Sequence, residues 1–389
     1  MVVERKLHAK ENRRGIIPSD ESVDYPFLIL IVLLLAVGLV MLYSASSAQS
    51  QYDTGYTVST KYLRKQAFCA FIGLMAMYAF SRIPADFWYR LAWPLYGISI
   101  VLLLSVLVIG QEVNGAKRWI NIAGIQFQPS EVAKFTQILV FARLTRRYGR
   151  DAGKFRYGVL GFGMTLMGIL IPLALEKHLS AIMLMGLVAV VMMYVAGSSP
   201  KWLLAGAAAA GLFVLIYIRF MGYAGDRVTA WLHPEQDPGD TGYQILQSLY
   251  AIGSGGLFGL GFGKSRQKFL YLPFQYNDYI FAVCCEELGL LGAVSIGLLF
   301  AATILRGYWI ALRARDRFST VLAAGLITLI AVQTILNFCV VTNLLPSTGI
   351  ALPFFSYGGT ALAVNLGEMG VVLQISRQRN KRKLQEEIL

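Results

Sequence analysis

Apolar positions run along this chain in long blocks, broken by short polar connections. Residues 26–47 contain no charged side chain, and neither do residues 91–110. Each block reaches about 20 residues, the length at which a helix crosses the hydrocarbon core of a bilayer. The pattern predicts ten spanning helices, near 26–47, 63–82, 90–110, 129–147, 156–175, 179–197, 201–220, 278–304, 320–342 and 357–376. Two connections are longer than the rest, 111–130 and 221–277. Within the second, Ile245, Leu249 and Ile252 recur at helical spacing with Gln244, Gln247 and Ser248 between them. That spacing predicts an amphipathic helix on the membrane surface or docked on the bundle. The expected fold is an all-α polytopic membrane protein of about ten transmembrane helices, with one large outer loop carrying amphipathic helices. Its parts are an arm at 1–24, a membrane domain at 25–376 and a basic tail at 377–389.

Composition agrees with this and adds an orientation. The 389 residues are 56% hydrophobic and 15% charged, against about 25% charged in soluble domains. Of the 35 Lys and Arg, 23 fall on the side of the N-terminal arm, leaving 12 on the other. Basic residues collect in the cytoplasm, so both termini are expected there, with the first span an uncleaved anchor. The net charge of +13 is then an orientation signal with some attraction to anionic membrane lipids, and no nucleic-acid partner is expected. Four cysteines without CxxC spacing and three scattered histidines indicate no disulfide framework, zinc site or haem site. The two halves show no inverted symmetry of the kind common in secondary transporters.

Ionisable residues at membrane depth are costly and need a reason. Three sets qualify. In "QPSEVAK", Ser130 is a candidate N-cap, Glu131 sits in the first turn of a helix, and Lys134 shares its face. In "NDYIFAVCCEELG", Asp278 lies at the outer mouth of a span, with Glu286 and Glu287 about 12 Å deeper by helical rise. Each deep glutamate requires a cation from another helix or a bound proton. The third set is outward and basic: Arg64, Lys65, Lys117, Arg118, Arg227, Lys264, Arg266 and Lys268. Positive charge on that side suits a diphosphate anion at headgroup level. "GSGGLFGLGFGKS" ends like a nucleotide loop, but the pattern requires glycine at 258, where Phe258 stands, and no strand precedes it. Its glycines instead allow a sharp turn that would bring Lys264, Arg266 and Lys268 to a lipid diphosphate.

"LYSASS", "NGAKRWI", "FQPSEVAK", "GYQILQSLYAIGSGGLFGLGFGKSRQKFLYLP", "NDYIFAVCCEELG" and "LPSTGIALPFFSYGGTAL" together resemble the SEDS family (shape, elongation, division and sporulation), which includes RodA, FtsW and SpoVE. The resemblance covers about residues 25–376 and implies a ten-helix glycosyltransferase of the bacterial cytoplasmic membrane. Such an enzyme polymerises lipid II into peptidoglycan and works with a class B penicillin-binding protein, a transpeptidase. By motif position Asp278 matches the family's essential aspartate, while Arg118, Trp119, Glu131 and Lys134 match other important positions. Lys65 and Ser356 match motifs at the second helix and before the last. "EKHLS" departs from the family's Gln-Pro-Asp-Leu-Gly, placing His178 where an aspartate is usual. "LPSTGIALPFFSYGGT" and the long N-terminal arm resemble the division type, which would place the protein at the septum.

The catalytic expectation is Asp278 as general base, with Lys134 meeting the leaving diphosphate and Glu131 orienting Lys134. Arg118, then Lys65, Arg227 and Lys264, are expected to add positive charge, with Trp119 and Ser356 completing the substrate contacts. A divalent cation, magnesium or manganese, is compatible with diphosphate chemistry, and no residue pattern identifies its ligands. The alternative reading is a lipid II flippase, which needs a polar path to both faces rather than one carboxylate at a mouth. A non-catalytic scaffold for the transpeptidase is a third.

Overall fold

The charge-free run forms a single helix, α1 (Tyr25–Asp53), whose start is fixed by Asp24. The Asp24 carboxylate accepts from the Phe27 N–H at 3.1 Å, and Pro26 occupies the first turn, where a missing N–H costs nothing. The computed structural model describes residues 23–113, 116–122, 125–204, 206, 229–236 and 241–387. After α1 come α2 (Lys61–Phe80), α3 (Ala85–Ile109), α4 (Pro129–Tyr148), α5 (Phe162–Leu175), α6 (Leu179–Val195), α7 (Thr241–Gly255), α8 (Ile280–Leu312), α9 (Arg317–Val341) and α10 (Gly359–Glu387). Nine of the ten predicted spans therefore coincide with a helix, α1–α6 and α8–α10. The seventh, 201–220, lies almost entirely outside the described residues, as do most of the N-terminal arm and Arg227.

Among the described residues, five helices are long and apolar enough to cross a membrane by length and composition. Two of the others, α4 and α10, fall short because they carry polar groups inward. From Pro129 to Thr145, α4 is buried except at Val132 and Arg143. It packs with α9 and α10 at the centre, ringed by the remaining spans. α2 and α10 approach closely: a Cβ on Gly370 would meet the Met77 carbonyl oxygen at 2.4 Å. Only glycine lets the two backbones lie that close.

Contacts between connections define two ends of the bundle. At one end Thr360 donates to the Gln126 carbonyl, Arg118 to that of Lys177 and Ser180 to that of Thr348; this is the loop face. At the opposite, basic face, Arg306 holds Asp24 through two bonds of 2.9 and 3.0 Å and lies over Trp309. Arg317 there donates to the Ala196 carbonyl at 2.7 Å.

Three features differ from expectation. The connection 111–130 contains a three-stranded antiparallel sheet, β1 (Gln111–Val113), β2 (Ala116–Ile122) and β3 (Ile125–Phe127), paired Gln111 with Trp119 and Ile120 with Phe127. α7 is docked on the bundle with Ile245, Ala251 and also Ser248 buried. Ser248 was assigned to the polar side, but its hydroxyl donates to the Val341 carbonyl at the end of α9 (2.8 Å). α8 is broken at Gly289 (φ 68°, ψ −168°), so 280–288 and 290–312 are two segments rather than one rod. A Cβ on Gly289 would lie 2.2 Å from the Gly259 nitrogen, and one on Gly259 would lie 2.6 Å from the Gly289 nitrogen.

Candidate active site

Pro129 starts α4 one residue before the expected cap, so Gln128 takes the cap position and Ser130 lies within the helix. Glu131 stays in the first turn, where the helix dipole favours a carboxylate. One turn on, the Lys134 ammonium lies 2.7 Å from Glu131, with both side chains buried. Removing one member of such a pair leaves an uncompensated buried charge and typically costs about 3–5 kcal/mol. Arg118 on β2 donates to the Lys177 carbonyl at 2.6 Å, fastening the sheet over the α5–α6 connection. That connection also buries Glu176 and His178. Burial pushes the Glu176 carboxyl up to about 8 despite the Arg118 charge. Burial, with the charges of Arg118 and then Lys134, lowers His178 to about 3. His178 is therefore a neutral imidazole at physiological pH.

The sign of the Glu176 effect is testable. Its raised value means that folding favours the protonated form, a contribution fully present below the ordinary carboxylate value and lost as pH rises through about 8. Glu176→Gln should therefore flatten the alkaline fall of Tm in detergent between pH 6 and 9, as read by thermal unfolding across that range. An unchanged alkaline limb would show that Glu176 is not the group responsible. His178 acts oppositely, its contribution being present above the ordinary imidazole value and lost as pH falls through about 3.

Asp278 stands on a platform assembled from distant segments. The Asn337 amide on α9 donates to both the Asp278 and Ile350 carbonyls at 2.7 Å. Ser356 accepts from the Leu352 N–H and donates to the Asn277 carbonyl, each at 2.7 Å. Gln66 on α2 donates to the Ser356 carbonyl at 3.1 Å and accepts from the Gly358 N–H at 3.2 Å. Tyr279 reaches Ser347 at 3.1 Å. The carboxylate of Asp278 is half-buried beside Gly349, where an added Cβ would lie 3.3 Å from Oδ2. Gly349 has φ +69°, so a side chain there would be strained as well as crowded. Gly349 follows Thr348, which Ser180 holds two residues beyond His178. Asp278 therefore neighbours the 348–349 segment, which Ser180 ties to the connection where His178 feels the charges of Arg118 and Lys134.

The glycine-rich run meets carboxylates of its own chain. Ser265 N–H donates to Glu287 at 3.2 Å and Arg266 N–H to Glu286 at 2.8 Å, with Gln267 N–H also on Glu286 at 3.3 Å. Lys268, expected at a lipid diphosphate, is instead buried, 3.1 Å from Glu287 and bonded to the Gly263 carbonyl at 2.6 Å. Glu287 also accepts from Ser44 of α1 at 2.7 Å. This is the cation that a deep glutamate requires, and it clamps the loop to α1 and α8. Lys268 is therefore withdrawn from the basic outward set.

The structure pairs Glu131 with Lys134, and the charges of Arg118 and Lys134 both act on His178; Asp278 is linked to the α5–α6 connection through Gly349, Thr348 and Ser180. Ser356 is buried and occupied in holding residues 277 and 352, which gives it a supporting place. Trp119 is half-buried on β2, opposite Gln111. Lys65 and Lys264 are exposed, on α2 and on the glycine-rich loop, outside the buried cluster. Glu368 on α10 was not singled out from sequence, although it is an acid in the middle of an apolar block. It is fully buried, and the charges acting on it are Lys134 and Glu131. Among the described residues no group of three His, Cys, Asp or Glu side chains is arranged to hold a metal ion.

The family described as cell cycle protein, covering FtsW, RodA and SpoVE, matches residues 25–381. The probable peptidoglycan glycosyltransferase FtsW of Geobacter sulfurreducens is 38% identical over 361 residues, 92% of this chain and 95% of that protein. Stage V sporulation protein E of Bacillus subtilis is 38% identical over 362 residues, 92% and 97% of the two chains. A chain from a peptidoglycan synthase complex that coordinates polymerisation and crosslinking superposes with TM-score 0.78 at 28% identity, over 92% of this chain and 98% of that one. The rod shape determining protein RodA of Thermus thermophilus superposes with TM-score 0.70 at 26% identity, over 93% and 99%.

Proposed function

Since the chain belongs to the FtsW/RodA/SpoVE family of cell cycle proteins, we propose that it is a peptidoglycan glycosyltransferase polymerising lipid II at the outer face of the cytoplasmic membrane. The observation that carries this reading is the placement of Asp278. Its backbone is held by Asn337 at the loop face, beside the 348–349 segment that Ser180 ties to the connection where the Arg118 and Lys134 charges act on His178.

In the proposed step the acceptor sugar's 4-hydroxyl gives its proton to the Asp278 carboxylate while its oxygen bonds to the donor's anomeric carbon. The bond from that carbon to the diphosphate oxygen breaks, and undecaprenyl diphosphate leaves with its electron pair. One base and one direct displacement invert the anomeric centre. Lys134, oriented by Glu131, and Arg118 balance the charge growing on the diphosphate. A divalent cation, magnesium or manganese, would add further positive charge against the leaving diphosphate. A class B penicillin-binding protein is the partner proposed to crosslink the strands.

The test is synthesis of glycan chains from labelled lipid II by the purified protein, alone and with its partner transpeptidase. Chains are expected; translocation of lipid II with no chains under either condition would favour the flippase. Orientation is tested separately. With the termini in the cytoplasm, exposed Thr57 on the loop face and exposed Arg150 on the basic face lie on opposite sides of the membrane. Thr57→Cys should react with an impermeant maleimide only from outside, and Arg150→Cys only from the cytoplasm. The reverse pattern would invert the topology.

A further inference from the structure

Three tyrosines meet at the loop face, from the start of α2, the segment before α8 and the segment before α10. The ring centroids of Tyr62 and Tyr276 are 4.5 Å apart, those of Tyr62 and Tyr357 5.0 Å, and those of Tyr276 and Tyr357 5.9 Å. Backbone bonds fix this cluster to the Asp278 platform. The Tyr357 N–H donates to the Tyr276 carbonyl at 2.9 Å, and the neighbouring Ser356 hydroxyl holds Asn277. Tyr62 lies one helical turn before Gln66, which grips the chain on both sides of Tyr357, at the Ser356 carbonyl and the Gly358 N–H. Tyr276 is two residues from Asp278, so their Cα atoms are at most about 7 Å apart. The hydroxyls are ordered too. Tyr62 donates to the Asp53 carboxylate, which Lys61 holds at 3.3 Å and Gln49 at 2.8 Å. Tyr276 donates to the Tyr62 hydroxyl at 3.4 Å.

Neither of the ordinary reasons for tyrosine at a membrane surface accounts for this group. Tyrosines of an interfacial belt reach outward into the headgroup layer, as exposed Tyr52 and Tyr56 do near the end of α1. The three here pack on one another, yet each keeps part of its surface open. Packing alone would be served by phenylalanine, which has no hydroxyl to satisfy. Tyr276 donates to Tyr62 and its oxygen remains an acceptor, while the Tyr357 hydroxyl has no hydrogen-bond partner among the described residues. Rigid apolar rings edged with hydroxyls complement a pyranose, which has an apolar C–H face and a hydroxyl rim. We propose that Tyr62, Tyr276 and Tyr357 form the subsite that seats the acceptor sugar, with its 4-hydroxyl at Asp278. The charges proposed to meet the diphosphate are linked to Asp278 through a different segment, by way of Gly349 and Ser180. Acceptor and leaving group would then approach the carboxylate along separate segments. The inference deepens the proposed function and rests on it for the identity of the sugar as an acceptor.

The experiment compares four full-length proteins: wild type, Tyr62→Leu, Tyr357→Leu and Tyr357→Phe. Two probes are bound to each, a soluble β-1,4-linked N-acetylglucosamine tetramer, which carries no diphosphate, and undecaprenyl diphosphate, which carries no sugar. Both leucine variants should weaken tetramer binding about tenfold or more, the usual loss when apolar contact is removed from a pocket. Tyr357→Phe keeps the ring and should bind the tetramer more tightly than Tyr357→Leu. Undecaprenyl diphosphate should bind all four proteins alike, whereas a change that merely loosened the platform would weaken both probes. In chain synthesis from lipid II with the partner transpeptidase, the leucine variants should raise KM with kcat little changed. Tetramer binding that falls with leucine while wild type makes no chains would overturn the polymerase reading and leave the sugar subsite standing. No tetramer binding by wild type, wild-type affinity in both leucine variants, or equal loss of both probes in both would overturn this inference. So would an unchanged KM, or a Tyr357→Phe no better than Tyr357→Leu.

Discussion

Asp278→Asn should reduce glycan synthesis by about 10²–10⁴-fold, the usual contribution of a positioned general base. Asparagine keeps the shape of the side chain and cannot take the acceptor proton. The platform should survive the change, because the bonds from Asn337 and Ser356 end on the backbone carbonyls of residues 278 and 277, which asparagine keeps. The volume beside Gly349 is unaltered, so no crowding is introduced. Lipid II binding should therefore remain near wild type, since the positive charges proposed to meet the diphosphate lie on α4 and β2. Measuring chain length distributions and binding on one preparation separates the two effects. A flippase predicts no chains from either protein. Wild-type chain synthesis by Asp278→Asn would falsify the catalytic assignment.

Lys134→Met should lose about 100-fold or more in chain synthesis, as when a charge-stabilising group is removed from a water-poor site. The complication is Glu131, which the change leaves buried without its ammonium partner at 2.7 Å. That alone could lower the amount of folded protein. Lys134→Met combined with Glu131→Gln removes the imbalance, and this variant should accumulate normally and still be inactive. If it makes chains at the wild-type rate, Lys134 is only the partner of a first-turn glutamate. Recovery of accumulation without recovery of activity is the outcome that assigns Lys134 to the chemistry.

The spans were legible because membrane insertion demands about 20 apolar residues in a row, a signal local to each block. Asp278 was legible for a related reason, being a charge at the edge of such a block. The sheet at 111–127 was missed because two of its strands have only three residues, and in β2 the adjacent Trp119 and Ile120 break the alternation. Ser248 was misplaced because a hydroxyl can bury itself by bonding to a carbonyl 93 residues away, which spacing within α7 cannot reveal. The assignment of Lys268 to a lipid phosphate failed for the same kind of reason. Its partner, Glu287, was recognised as needing a cation, but the two lie 19 positions apart and meet only because the segment between them folds back. Glu368 and Glu176 gave a compositional hint, an acid in or beside an apolar block. Their neighbours lie on other helices, so only the assembled bundle gives the charges a meaning.

Gly259 and Gly289 each have positive φ, and each lies where the other's side chain would have to be. For sequence drift they act as one position. An alanine at either requires the opposite backbone to retreat, and that retreat would loosen the N–H groups of 265–267 from Glu286 and Glu287. A second substitution at the partner glycine cannot compensate, because it adds bulk instead of removing it. Variants that tolerate a side chain here should therefore arise only with a rebuilt loop, of different length or with different carboxylates, so the segment would be exchanged as a block rather than residue by residue.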